Sequence, residues 1–394
     1  MATPHVRAAR ADDLDEVVAL LVDRGEPADG LDLRLLAETE GLDGTGVVEV
    51  DGAIAATATL LDEELRVGCT LVACGQVELV ATHRDHEHRG HVRALMDWCH
   101  ARSATRGHVV QVMIGIPYFY RRFGYHYAIP MHAYAPLSPH AVVAPADLTV
   151  RRANAHDVAA MAALQDATQS RFDVTMPHQP SCWQWLVQRD GSHQYVTVDE
   201  RGLVVGTARW TDVEDGVVLV AEVASTSTAA THALLAAAAA PVSAGEVRVQ
   251  DRPGVPGLAA SLGERQRRDW FYVRVPDVAA LLDVLSPTLE TRLTASPLAG
   301  LSTELLVSLW ERHVSITIAD GQLGAVRRGG PHQRPVSSGG SGLPPDAVGH
   351  LVFGGGAAAL EERFPDAHLG RQRELMQVLF PPQHADLLTF YLPS

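Results

Sequence analysis

Gly75 to Thr82 reads GQVELVAT, His83 to Gly90 reads HRDHEHRG, His91 to Gly107 reads HVRALMDWCHARSATRG, and Phe119 to Tyr127 reads FYRRFGYHY. The first run, rich in valine, has strand composition, and the third carries apolar residues at helical spacing. Between them lies a basic segment ending in Arg89-Gly90. A helix that opens there offers unpaired N–H groups and a positive dipole end to an anion, and glycine lets the backbone approach closely. Strand, anion-cradling loop, helix and a downstream aromatic block predict an α/β fold built around a phosphate-type ligand.

Working outward, a repeat organises the rest of the chain. VRAARADDLDEVVALL (Val6 to Leu21) aligns with VRRANAHDVAAMAALQ (Val150 to Gln165) as a short strand, a polar turn holding Asp13 or Asp157, and a helix. Both copies continue through β-rich sequence. The second then reaches STSTAATHALLAAAAAP, whose helix opens with neither arginine nor glycine and so makes a poor pyrophosphate site. From about Arg274, VRVPDVAALLDVLSPTLETRL predicts a helix, and WERHVSITIADGQLGAVRRG predicts strands joined by an Asp-Gly turn. The run RPVSSGGSGLPP (Arg334 to Pro345) predicts an intradomain loop, DAVGHLVFGG and ELMQVLF short helices, and LLTFYLPS a final strand. The expected organisation is a phosphate-binding domain over residues 1–135, a second copy lacking the loop over 136–272, and an α+β domain over 273–394.

Composition sets bounds. A chain of 394 residues with 46% hydrophobic and 20% charged content suits two or three globular domains. No apolar run approaches the ~20 residues of a membrane span, and the N-terminal MATPHVRAARADDLDE is too polar for a secretory signal, so a cytoplasmic location is expected. Cys69, Cys74, Cys99 and Cys182 lack metal-type spacing and are expected as small buried hydrophobes. A net charge of −15 argues against nucleic acid and favours a cationic small molecule. All 32 basic side chains are arginine, which excludes lysine as nucleophile or phosphate ligand. His83, His86, His88 and His91 crowd the loop at a spacing that fits no common zinc motif, so no metal is expected. Trp183 and Trp185 are expected in the second domain's core, the alternative being that one faces a cationic ligand.

The order V-A-T, H-R-G, helix and FYRRFGY resembles the GCN5-related N-acetyltransferase (GNAT) family. Paired domains followed by an α+β domain resemble its Eis-type aminoglycoside N-acetyltransferases. The resemblance covers essentially the whole chain and implies two tandem GNAT-like domains, a third domain similar to a sterol carrier protein, and assembly as a hexamer. It implies acetyl-CoA as acyl donor and direct attack by the amine of a small polycationic acceptor in a ternary complex. By position, Val80 and Thr82 would hold the pantetheine arm, and His88, Arg89, Gly90, His91 and Val92 would cradle the pyrophosphate. Tyr120 would be the general acid and the α-carboxylate of Ser394 the general base. A phenol near ~10 and a thiol near ~8.5 make the transfer from Tyr120 roughly balanced. Its neighbours in PYFYRRFGYHY read as an aromatic core strand, and only the resemblance singles Tyr120 out. The loop departs from the family pattern at Arg84, Glu87 and Val92, and Glu87 would set a carboxylate near the pyrophosphate. Two rivals therefore stand: an acyltransferase with another acyl-CoA or a biosynthetic amine, and a non-catalytic protein that binds CoA or an apolar ligand.

Overall fold

The computed structural model describes residues 5–25, 27–138, 142–143, 145–189, 191–241 and 245–389. The first sheet is built from β1 (Val6–Ala8), β2 (Thr45–Val50), β3 (Ala53–Val67), β4 (Thr70–Thr82), β5 (Val110–Met113) and β6 (His126–Pro130). Helices α1 (Leu14–Arg24) and α2 (Pro27–Thr39) precede β2, and α3 (His91–Thr105) joins β4 to β5. β1 to β4 are successively antiparallel, whereas β4 and β5, linked by a helical crossover, are parallel. The sheet is completed from far along the chain, because Trp270–Arg274 inserts between β5 and β6 and pairs with both. Reciprocally, Tyr134–Pro136 adds to the second sheet beside Glu246–Gln250. Both sequence-drawn boundaries, after residues 135 and 272, therefore pass through exchanged strands.

The repeat holds in detail. Arg7 grips Asp13 at 2.6 Å, Arg151 grips Asp157 at 2.7 Å, and each aspartate also accepts a backbone N–H three residues before it. The second sheet repeats the order of the first, with Thr149–Arg152, Ser192–Val198, Val204–Thr211, Val217–Ser225 and Glu246–Gln250 following in sequence. In the third region Asp277 caps the helix Val278–Thr294, and a five-stranded sheet follows. Its Asp320-Gly321 turn takes φ +51° and +80°, the pair of positive angles that a two-residue hairpin of this kind requires. The glycine-rich run is an intradomain loop, as expected, and Ser341–Gly342 within it pairs with Thr303–Ser308. The short helices are Val348–Phe353 and Arg373–Leu379.

Several expectations need correction. The aromatic block is not a strand: Tyr118 (φ +62°) and Gly124 (φ +83°) bracket a 3₁₀ turn over Phe119–Phe123, and only then does β6 begin. The last strand among the described residues is Ala385–Leu387, and residues 390–394 of the expected LLTFYLPS strand lie outside the described residues. It runs parallel to Val174–Met176, which itself pairs with β3. Cys74, Cys99 and Cys182 are buried, but Cys69 sits in a tight turn between β3 and β4 and is exposed. Trp183 and Trp185 are buried in a core shared with Leu20, Leu33 and Leu36 of the first domain. Among the described residues no helix is long and apolar enough to cross a membrane.

Candidate active site

β4 and β5 pair only through Cys74/Val110, Gly75/Gln111 and Gln76/Val112, after which the strands part. Opposite β3, Thr57 faces Ala81 while Thr59 faces Glu78, so Leu79 and Val80 form a bulge without register partners. Leu79 takes φ +50°, which re-aims the backbone of β4 at the gap. The gap opens into a cleft of about 1280 Å³ lined by Val77 to Ala81, Met113 to Tyr118, Tyr120 and the facing edge of the second domain. An opening between splayed parallel strands, with backbone groups facing it, admits an extended chain that hydrogen-bonds like a strand.

At the end of β4 the Thr82 hydroxyl is buried without a partner, and so are both ring nitrogens of His91. Gly90 takes φ +86°, with nothing near the place a Cβ would occupy, and α3 starts there with no side-chain cap and no acidic residue in its first turn. Its first N–H groups and Arg89, exposed and held only through the His86 ring at 3.4 Å, can thus meet an anion. His88, with φ +60°, is exposed in the same loop, whereas Val92 turns its side chain toward the core and has only its backbone to offer. These residues suit the phosphates and arm of acetyl-CoA. Glu87 does not face that place unopposed: its carboxylate lies 2.5 Å from Arg24 at the end of α1. That ion pair offsets the repulsion expected from the sequence.

Tyr120 lines the cleft and is nearly buried, its ring packed so close to Gly115 that any Cβ there would come within 2.3 Å of it. Burial, with Glu78 next in size, raises its pKa, so the phenol holds its proton until a strong base appears beside it. Glu78 is the residue that sequence reading missed. It is buried on the cleft wall, accepts a hydrogen bond from the Gln76 amide at 2.5 Å, and burial lifts its carboxyl to about 8. A single acid inside GQVELVAT gives no pattern to find it by; only a charge placed at the pleat position facing the gap marks it. Ser394 lies outside the described residues. The segment before it is anchored: Asp386 bonds Arg252 at 2.6 Å, His132 at 2.9 Å and Gln169 at 2.9 Å, and Arg209 donates to the Thr389 carbonyl at 2.8 Å.

The lining of the cleft is mixed in charge. Arg24, Arg189 and Arg248 are paired with Glu87, Asp32 and Glu246, whereas Arg121, Arg267, Arg268 and Arg363 have no carboxylate partner among the described residues. Asp29, Glu214, Asp215 and Asp269 face them across the same space.

Residues 5–128 match a family model described as an acetyltransferase (GNAT) domain. Across the full length the fold is similar to a GCN5-related N-acetyltransferase from Anabaena variabilis ATCC 29413, at TM-score 0.73 and 14% identity over 97% of this chain and 98% of that one. A GCN5-related N-acetyltransferase from Kribbella flavida gives TM-score 0.71 and 18% identity over 98% and 100%. Eis1 from Mycobacterium abscessus gives 0.66 and 16% over 97% and 99%. No curated protein matches the sequence. The protein is an acyltransferase whose acyl donor is acetyl-CoA, and residues 5–128 are the part of it similar to an acetyltransferase (GNAT) domain.

Proposed function

We propose that the protein N-acetylates a small amine in the cleft between the first two domains, in a ternary complex. The observation that carries this is the open β4 bulge with Tyr120 and Glu78 on the wall of one cleft. Acetyl-CoA supplies the acetyl group as a thioester. Val80 and Thr82 flank its arm, and His88 to Val92 surround its phosphates. Transfer requires that the amine lose a proton and that the departing thiolate gain one. Tyr120 is placed to give the second proton and is protonated when the thiolate forms, although burial makes the transfer less balanced than a phenol near ~10 would make it.

Two groups are offered for the first proton. The Ser394 carboxylate is one: residues 390–394 extend about 17 Å at most beyond Thr389, and Met131 borders both the space around Thr389 and the cleft. Glu78 is the other, already on the cleft wall and poised near neutral pH. If Glu78 is the base, kcat/KM rises with pH through about 8, where the carboxyl ionises, and Glu78→Gln flattens that limb and lowers the rate about 10²-fold. If Ser394 is the base, residues added after it abolish turnover and Glu78→Gln leaves the pH profile in place. Thiol release with both variants decides between them.

The acceptor has two readings. The resemblance and the net charge of −15 favour a polycation such as an aminoglycoside. The four guanidiniums without a carboxylate partner among the described residues favour instead an acceptor that carries an anionic group as well as its amine. Thiol release from acetyl-CoA with aminoglycosides and with amino acids and short peptides separates the two. The three-domain division, the likeness of residues 273–394 to a sterol carrier protein, and a hexamer belong to the same proposal, and sedimentation measures the last.

A further inference from the structure

The second domain carries a pocket that has no part in the reaction just described. It measures about 920 Å³, within the range of small-molecule sites, and lies on the helix Val158–Gln169. The repeat explains its origin. In the first domain α2 has 13 residues and packs so tightly on α1 that a Cβ at Gly30 would meet Val22 at 2.7 Å and Val18 at 3.0 Å. The matching helix of the second domain, Pro180–Leu186, has 7 residues. In the alignment of the two copies Val18 and Val22 become Ala162 and Asp166, so the face that α2 covers in the first domain is smaller, partly charged and uncovered in the second.

We propose that this pocket binds a small organic amine with an apolar body. Its apolar lining includes Val158, Ala162, Val187 and the indole of Trp183, beside Gln165, Gln179, Gln184 and Gln188. Its charged residues are Glu64, reaching in from β3, and Asp166, both exposed and neither ion-paired among the described residues. No arginine lines it, although seven line the catalytic cleft of this lysine-free chain. Aromatic and carboxylate groups without an opposing cation attract an ammonium. The wall is also rigid, because the His178 ring, at 4.9 Å from that of Trp183, is fixed by Glu222 at 3.1 Å and Cys182 at 3.6 Å.

Calorimetric titration of the full-length protein with 2-phenylethylamine tests this, with phenylacetate as the anionic control. One amine is expected to bind per chain, and the double variant Glu64→Gln/Asp166→Asn is expected to bind it about tenfold more weakly, two exposed charges each contributing modestly. The acetyl-transfer kcat/KM of that variant stays unchanged, since neither side chain lines the catalytic cleft. Both carboxylates are exposed, so their neutralisation leaves folding intact. Absence of binding, equal binding of phenylacetate, or unchanged affinity in the double variant would each overturn the proposal.

Discussion

The two wedges of this molecule began as one design and now do opposite things. In the first, Leu79 and Val80 bulge from β4 and face an open cleft, and α3 begins at Gly90 with no side-chain cap. In the second, the corresponding bulge holds Glu222 with φ +56°, and side chains occupy its backbone: Gln250 accepts from the Glu222 N–H, Gln165 donates to its carbonyl, and Arg252 donates to the carbonyl of Val223. The following helix, Thr228–Ala239, is capped by Ser227. The space beside the bulge is bordered by Ala385, Leu387 and Thr389 of the chain's own last described segment. One wedge keeps its polar groups free for a ligand; the other has satisfied them internally, as buried polar groups must be.

The charges show the same contrast. Glu78 in the open wedge is lifted to about 8 by burial, whereas Glu222 in the closed one, between Arg209 at 2.8 Å and His178 at 3.1 Å, is held down at about 2 despite its burial. Near neutral pH the first can exchange a proton and the second cannot. A titrating group belongs where chemistry happens, and a fixed ion pair where a strand is being held.

The largest expected effect falls in the open wedge. Tyr120→Phe should lower kcat by roughly 10²- to 10⁴-fold while leaving acetyl-CoA affinity in place, as stopped-flow thiol release and calorimetry would show. In the closed wedge a substitution should be felt as stability. Arg209→Met strands the Glu222 carboxylate and removes a donor from the Thr389 carbonyl, and should cost about 3–5 kcal/mol in urea unfolding. Activity per folded molecule should then fall only as far as the terminal segment matters. A smaller effect is expected at the cradle. Gly90→Val has room for its side chain but must adopt φ +86°, so acetyl-CoA affinity should fall about tenfold through backbone strain of ~1–2 kcal/mol.

Much of this was legible in residues. Asp13 and Asp157 mark the two domain openings because each caps a turn six residues after an arginine that grips it, a local device that any duplicate must preserve. The Arg89-Gly90 start of α3 and the absence of its like before Thr228 likewise separate the two wedges from sequence alone. What stayed hidden is tertiary. Nothing local in Trp270–Arg274 or Tyr134–Pro136 says which sheet each will join, because a strand's neighbours are chosen by the whole fold. The pairing of Glu87 with Arg24 joins positions 63 residues apart, and sequence could not name Arg24 as the partner of Glu87. Glu78 escaped because burial, and no motif, gives it its character.

The claim that one wedge is open and the other closed is tested most directly by the stoichiometry of acetyl-CoA binding in calorimetry of the full-length protein. One molecule per chain is expected, with affinity that falls in Gly90→Val and does not change in Ser227→Ala, which uncaps the helix of the closed wedge. Two molecules per chain, none at all, or a loss of affinity in Ser227→Ala equal to that in Gly90→Val would contradict it.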